Sequence, residues 1–293
     1  MREIIHLLRS PSHYAGMEDG AVRKDPGSVS LRVALAFPDA YEVGMSYLGQ
    51  KILYGIINAN PAWWAERVME PELDACALMR AKGIPLATLE SDTPLRDLDA
   101  VGFAVTHELC FTDILNMLDL AGIPLRAADR PDSFAGCPLV FAGGGAMLGA
   151  EPLSPFFDLV ALGDGEELVP ELLALLQALK GEGRAAFLEA AAQIPGIYVP
   201  AFFEAGAAGG YVPQRPGYRP ARRIVADLEQ AFYPAAQVTP VGAVHNRLSL
   251  EIGRGCTRGC RFLPRRHGLQ ALPRAQPGQS GRAPDPVSGK HRL

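Results

Sequence analysis

Short apolar runs alternating with stretches of helical spacing constrain this chain more than any other feature. The runs are Leu31–Phe37, Pro85–Leu89, Ala100–Val105, Pro138–Ala142 and Leu159–Leu162. Between the first two, one helix is expected with Met45, Leu48, Ile52, Leu53 and Ile56 on a single face, ending near Asn58 to Pro61. A second is expected over Pro71–Ala81 with Leu73, Ala77 and Leu78 inward. Later helices carry Ile114, Met117, Leu118 and Ala121, and a leucine-rich run from Glu166 to Lys180. Strands joined by helices of this length cannot pair as tight hairpins, so they form βαβ units in a parallel sheet buried on both faces. Right-handed crossovers then make an α/β, doubly wound parallel-sheet domain of the Rossmann or flavodoxin type, with ligand loops at the carboxyl ends of the strands. That domain is expected over residues 31–183, after a polar, turn-rich leader at 1–30.

Residues 184–246 read as an elaboration and linker, with a helix around Ala185 to Gln193 and short β-like pieces split by Gly209, Gly210 and several prolines. No internal repeat is visible. A net charge of −4 argues against a nucleic-acid-binding body. No run approaches the roughly 18 apolar residues of a membrane span. The start, Met1-Arg2-Glu3-Ile4-Ile5, lacks the apolar core of a signal peptide. Five irregularly spaced cysteines make no disulfide framework, so a reducing, cytoplasmic setting is expected. Cys76, Cys110 and Cys137 read as small packed residues.

The other two cysteines are different. In Arg254-Gly255-Cys256-Thr257-Arg258-Gly259-Cys260-Arg261-Phe262, thiolates spaced C-x3-C lie in a glycine-rich loop after Leu248–Ile252, which reads as a strand. Cysteines on such loops hold iron–sulfur clusters. A third cysteine two residues on would complete C-x3-C-x2-C and leave one iron of a [4Fe–4S] cubane open to S-adenosylmethionine. That position is Leu263. Beyond it, residues 263–293 set Arg265, Arg266, Arg274, Arg282, Lys290 and Arg292 against a single acid, Asp285, with five prolines and no amphipathic period. Such a basic, Pro/Gly-rich tail could be a nucleic-acid arm, but a shifted reading frame explains it better. Leu263 to His267 can be encoded CTG CCA CGC CGG CAT, and read one base later this gives Cys-His-Ala-Gly-Met. The strand and cysteine loop at 247–262 resemble the start of a radical SAM barrel, of which only the first strand is present, and 263–293 are expected to be a frameshifted, disordered tail.

Taken together, these segments resemble radical SAM proteins with an N-terminal cobalamin-binding-type domain. The resemblance rests on Phe37-Pro38-Asp39-Ala40-Tyr41-Glu42-Val43-Gly44-Met45-Ser46-Tyr47-Leu48-Gly49, on Val101–Pro124 and Pro138–Glu167, and on Glu251 to Phe262. It implies a [4Fe–4S] cluster with Cys256 and Cys260 as two of its ligands, S-adenosylmethionine, and an electron donor such as a flavodoxin or ferredoxin. Substrate and catalytic residues stay unassigned. Cobalamin domains of this type carry D-x-H-x-x-G after the first strand. The matching positions are Asp39, Tyr41 and Gly44, with a phenol where the cobalt-ligating imidazole would stand. His107 follows a later strand and reads as a loop hydrogen-bonder or as a ligand at the same sheet edge. Gly143, Gly144 and Gly145 lack nucleotide-motif spacing and read as the lining of a shared pocket or as a structural turn. Asp164-Gly165-Glu166-Glu167 reads as a helix start whose acids favour the dipole. With the third cysteine absent, the chain is expected not to cleave S-adenosylmethionine. A stand-alone module for cobalamin or another small ligand, and a non-functional fragment, are the alternatives.

Overall fold

The computed structural model describes residues 1–207, 210–234, 238, 241 and 249–255. Its central element, β1 (Leu31–Phe37), shows why the sheet needs two cores. Leu31, Val33, Leu35 and Phe37 face one apolar cluster, while Ala34 and Ala36 face another. A strand buried on both sides must be covered on both, since each large apolar side chain withdrawn from water contributes about 1.5–3 kcal/mol.

The remaining strands are β2 (Trp63–Met69), β3 (Ala100–Ala104), β4 (Leu139–Gly143), β5 (Leu159–Ala161) and β6 (Ile197–Tyr198), in the order β2-β1-β3-β4-β5-β6. All neighbours are parallel except β6, which runs antiparallel to β5. The helices are α1 (Tyr41–Gly44), α2 (Leu48–Ala59), α3 (Leu73–Lys82), α4 (Phe111–Ala121), α5 (Gly165–Leu179) and α6 (Arg184–Ala191). Helices α2, α5 and α6 cover one face through Tyr54, Ile57, Leu168, Leu172, Leu176 and Phe187. Helices α3 and α4 cover the other through Cys76, Met79, Ile114, Met117 and Leu118. The fold is therefore a doubly wound α/β sheet. A separate hairpin pairs β7 (Phe203–Ala205) with β8 (Tyr211–Pro213). Within residues 1–30, Met1, Ile4 and Leu8 are buried in the α3–α4 core.

Two local expectations are corrected. Pro85–Leu89 is not a strand of the sheet; Ala87 makes an isolated bridge to Pro94 around a turn in which Asp92 takes φ +59°. The edge strand is Trp63–Met69 instead. Glu66 and Arg67 in its middle break the apolar pattern, yet they are 0% and 3% exposed. Arg32 and Thr88 hold Glu66, with Arg32 Nε at 3.0 Å and Thr88 Oγ1 at 2.7 Å. Arg67 Nε reaches Glu90 Oε1 at 2.6 Å, and its Nη2 reaches Glu18 Oε2 at 3.2 Å. The 85–94 loop closes the strand edge, with Leu89 N–H donating to Arg67 O at 2.8 Å and Arg67 N–H to Glu90 Oε2 at 2.7 Å. Covering an edge in this way removes a template for pairing with other chains.

The buried faces of two helices also differ from expectation. On α3 the inward residues are Ala75, Cys76 and Met79, while Leu73 is 89% exposed. On α2 they are Gln50, Ile52, Tyr54 and Ile57, with Leu53 and Ile56 half-buried and Met45 lying outside the helix. Helix α3 has no preferred apolar face, so spacing alone does not choose which side it buries. Helix α4 buries Ile114, Met117, Leu118 and Ala121 as expected. Among the described residues, no helix is long and apolar enough to cross a membrane.

Candidate functional site

The strand order sets the position of the site. The chain leaves β1 on the α2 side and returns to β3 on the α3 side, so the crossovers diverge between β1 and β3. Open α/β sheets bind ligands at that switch point, outside the carboxyl ends of the strands. The loop after β1 supplies Asp39 and the loop after β3 supplies His107. His107 Nε2 lies 3.4 Å from Asp39 Oδ2, with side chains 42% and 32% exposed. Asp39 Oδ1 also accepts from the Ala40 N–H at 2.7 Å. The His107 Nδ1 is buried without a hydrogen-bond partner, while the Cys110 thiol donates to the His107 carbonyl at 2.9 Å.

Two further carboxyls border this pair. The backbone N–H of Glu70, just past β2, donates to Phe37 O at 3.1 Å and to Asp39 O at 3.2 Å. Its Oε1 accepts from Asn116 Nδ2. Burial pushes the Glu70 carboxyl up to about 7, with Asp113 adding to the rise and the Asn116 bond opposing it. Burial also raises Asp113; the Asp39 charge adds to this and His107 opposes it. The switch point therefore gathers Asp39, Glu70 and Asp113 near His107, and burial makes the Glu70 and Asp113 carboxyls hold their protons to higher pH than solvated ones. Among the described residues, no group of three or more His, Cys, Asp or Glu side chains has metal-binding geometry.

Tyr41 is engaged on the side of His13 and Glu18. It is 4% exposed, and its phenol donates to Glu18 Oε1 at 2.9 Å and accepts from the Val241 N–H at 3.1 Å. Its ring stacks on His13 with centroids 4.5 Å apart and planes 8° from parallel. Burial raises the Tyr41 pKa and Glu18 adds to the rise, so the phenol stays neutral. Gly44 serves packing: a Cβ there would meet Met69 Cγ at 3.1 Å and Phe37 Cδ1 at 3.2 Å. Asp39 is thus the member of the Asp39–Tyr41–Gly44 set that meets His107 at the switch point.

Gly143 ends β4, and Gly144 and Gly145 follow at the same edge. Gly144 takes φ +113°, and a Cβ there would collide with the Val105 backbone that follows β3. Glycine is required there by close approach of the two loops. Gly145 has open space where a Cβ would stand. Cys256 and Cys260 lie outside the described residues.

Arg254, two residues before Cys256, is described. Its Nη1 lies 3.3 Å from Asp164 Oδ2, its Nε 2.8 Å from Glu251 Oε1, and its Nη2 bonds Glu166. Asp164 makes no side-chain cap to α5; its Oδ2 accepts the Val225 N–H at 2.8 Å. Sequence reasoning took these acids as helix-dipole residues and missed their partners. The signal was the density of acids at 164–167, but the arginine that answers Glu166 lies 88 residues away. Burial pushes the Cys76, Cys110 and Cys137 thiols up, which suits packed residues rather than nucleophiles.

A [4Fe–4S] cluster with S-adenosylmethionine needs three thiolates, and the chain offers Cys256, Cys260 and then Leu263. A hydrocarbon side chain is no ligand, so the donor set does not complete that site. Residues 49–200, more than half of the chain, match the family described as radical SAM proteins, N-terminal. The match runs from the first turn of α2 to just past β6, so it covers the sheet apart from β1. No curated protein and no solved structure matches. The chain belongs to the radical SAM proteins, and residues 49–200 correspond to their N-terminal domain.

Proposed function

We propose that the doubly wound domain is the ligand-binding module of a radical SAM enzyme of unassigned substrate, and that this chain does not cleave S-adenosylmethionine. One observation supports the first half above others. Asp39 and His107 face each other at 3.4 Å across the switch point, at the edge where a parallel sheet takes its ligand. The second half follows from the donor set, which stops at Cys256 and Cys260. In our reading a base inserted after the Phe262 codon moved the third cysteine out of frame. The frame-restored product would need an electron donor such as a flavodoxin or ferredoxin.

Cobalamin fits this reading only without help from Tyr41, whose phenol is engaged by Glu18 and Val241. The contrast between the Asp39–His107 pair at the switch point and an incomplete cluster site favours a second reading, in which the chain acts as a stand-alone module for cobalamin or another small ligand.

Anaerobic loading with iron and sulfide tests the main reading, comparing this chain with a frame-restored version. The expected result is stoichiometric iron and release of 5′-deoxyadenosine only from the restored frame. A stable, stoichiometric cluster in the present chain would overturn it. Cobalamin retained through purification from a supplemented culture would support the stand-alone module, and a colourless protein would count against it.

A further inference from the structure

Two stretches downstream of the sheet, at Arg223 and at Arg254, meet the start of α5. At the first, Arg223 N–H donates to Leu162 O at 2.9 Å and Asp164 N–H donates to Arg223 O at 3.0 Å, beside a parallel bridge between Gly163 and Arg223. The Arg223 guanidinium reaches Glu171 at 2.6 Å and Glu167 at 2.8 Å. The second contact is Arg254 against Asp164, Glu166 and Glu251.

The two differ in burial. Glu167 and Glu171 are 62% and 47% exposed, so their pairs with Arg223 are solvated and screened. Arg254 is 17% exposed, Glu166 10% and Asp164 15%. A guanidinium with little water left and carboxylates on several sides has one arrangement that satisfies its donors. The backbone anchor at Arg223 and the side-chain anchor at Arg254 bracket the stretch between them. Asp164 joins the two, since its Oδ2 takes both the Val225 N–H and the Arg254 guanidinium.

We propose that Arg254 is a positioning residue, whose clasp by Asp164 and Glu166 fixes the segment leading into Cys256 against the carboxyl edge of the sheet. The consequence for a cluster loop rests on the radical SAM reading above; the clasp itself does not. A lysine cannot replace the arginine, because an ammonium presents a point charge where the acids need a planar fork.

Hydrogen–deuterium exchange on the full chain, without metal or ligand, tests this. Arg254→Ala and Glu166→Gln are each expected to speed exchange at residues 249–255 by about tenfold, with the β1–β4 peptides and the thermal midpoint unchanged. Arg254→Lys should restore only part of the protection, and the restored part should fall with added salt. Arg223→Ala should accelerate residues 249–255 less than Arg254→Ala does. Unchanged exchange at 249–255 in Arg254→Ala, or acceleration spread evenly over the sheet, would overturn the proposal. A failed cluster reconstitution leaves this readout untouched, so the two readings fail separately.

Discussion

The carboxyl ends of β2 and of the β1–β3 pair lie side by side and treat charge in opposite ways. At β2, Arg67 is fully enclosed, with Glu90 and Glu18 on its donors, the Met45 sulfur 3.1 Å from Nη1 and the Tyr54 ring 5.4 Å from its centre. At the switch point, Asp39 and His107 are part exposed, their contact is 3.4 Å, and the His107 Nδ1 has no partner. The first arrangement holds the leader, the edge strand and the 85–94 loop together. The second leaves polar atoms with capacity to spare, which is what a ligand requires. Similar residue types thus divide between structure and site according to how completely they are satisfied.

The sharpest way to break this contrast is Arg67→Met. The thioether fills much of the volume but leaves Glu18 and Glu90 buried without a cation. Removing one partner of a buried ionic group costs about 3–5 kcal/mol, because the remaining charge is stranded. Urea unfolding at neutral pH should show a loss of that size. A loss under about 1 kcal/mol would mean that water reaches the network, and that the two regions differ less than their burial implies.

Glu70 stands between the two regions, and its titration gives a smaller effect with a defined sign. Burial raises its folded pKa from the ordinary 4.5 to about 7. Between those values the folded state binds more protons than the unfolded one, so the slope of stability against pH is negative. The contribution is fully present below about pH 4.5 and is lost as pH rises toward 7. Glu70→Gln keeps the Asn116 neighbour and removes the titration. It should match the parent near pH 4.5 and exceed it by about 3 kcal/mol at pH 8. Parallel stability–pH curves for the two proteins would show that Glu70 is solvated and belongs with Asp39 rather than with Arg67.

These regions also show what the sequence discloses and what it hides. The β1 strand was legible because alternate burial on both faces makes a continuous apolar run, and α4 because its stripe is narrow. The edge strand β2 was hidden by the two charges that make it secure. Glu66 and Arg67 look like loop residues until Arg32, Glu18 and Glu90 are brought in from distant parts of the chain. At the site, Asp39 and the three glycines fall at the carboxyl edge, as strand-end residues must. Tyr41 occupies the position of a metal-ligating histidine in the motif, yet α1 turns its side chain onto His13 and Glu18. A motif specifies spacing along the chain; the direction of a side chain depends on what packs beside it. Asp164 and Glu166 were hidden for the same reason, since nothing local announces Arg254.

The smallest expected effect carries the comparison furthest. His107→Leu removes the contact with Asp39 and the unpartnered Nδ1 together, in a place where water already reaches both side chains. Exposed ion pairs contribute about 0–1 kcal/mol, and part of that is offset by relieving a buried nitrogen with no hydrogen bond. The unfolding free energy should therefore change by no more than about 0.5 kcal/mol. A group this cheap to remove, placed at the switch point of the sheet, is not held there by the needs of folding. A loss above about 2 kcal/mol would reverse that conclusion. His107 would then be a structural residue like Arg67, and the crevice between β1 and β3 would be a packed seam rather than a place for a ligand.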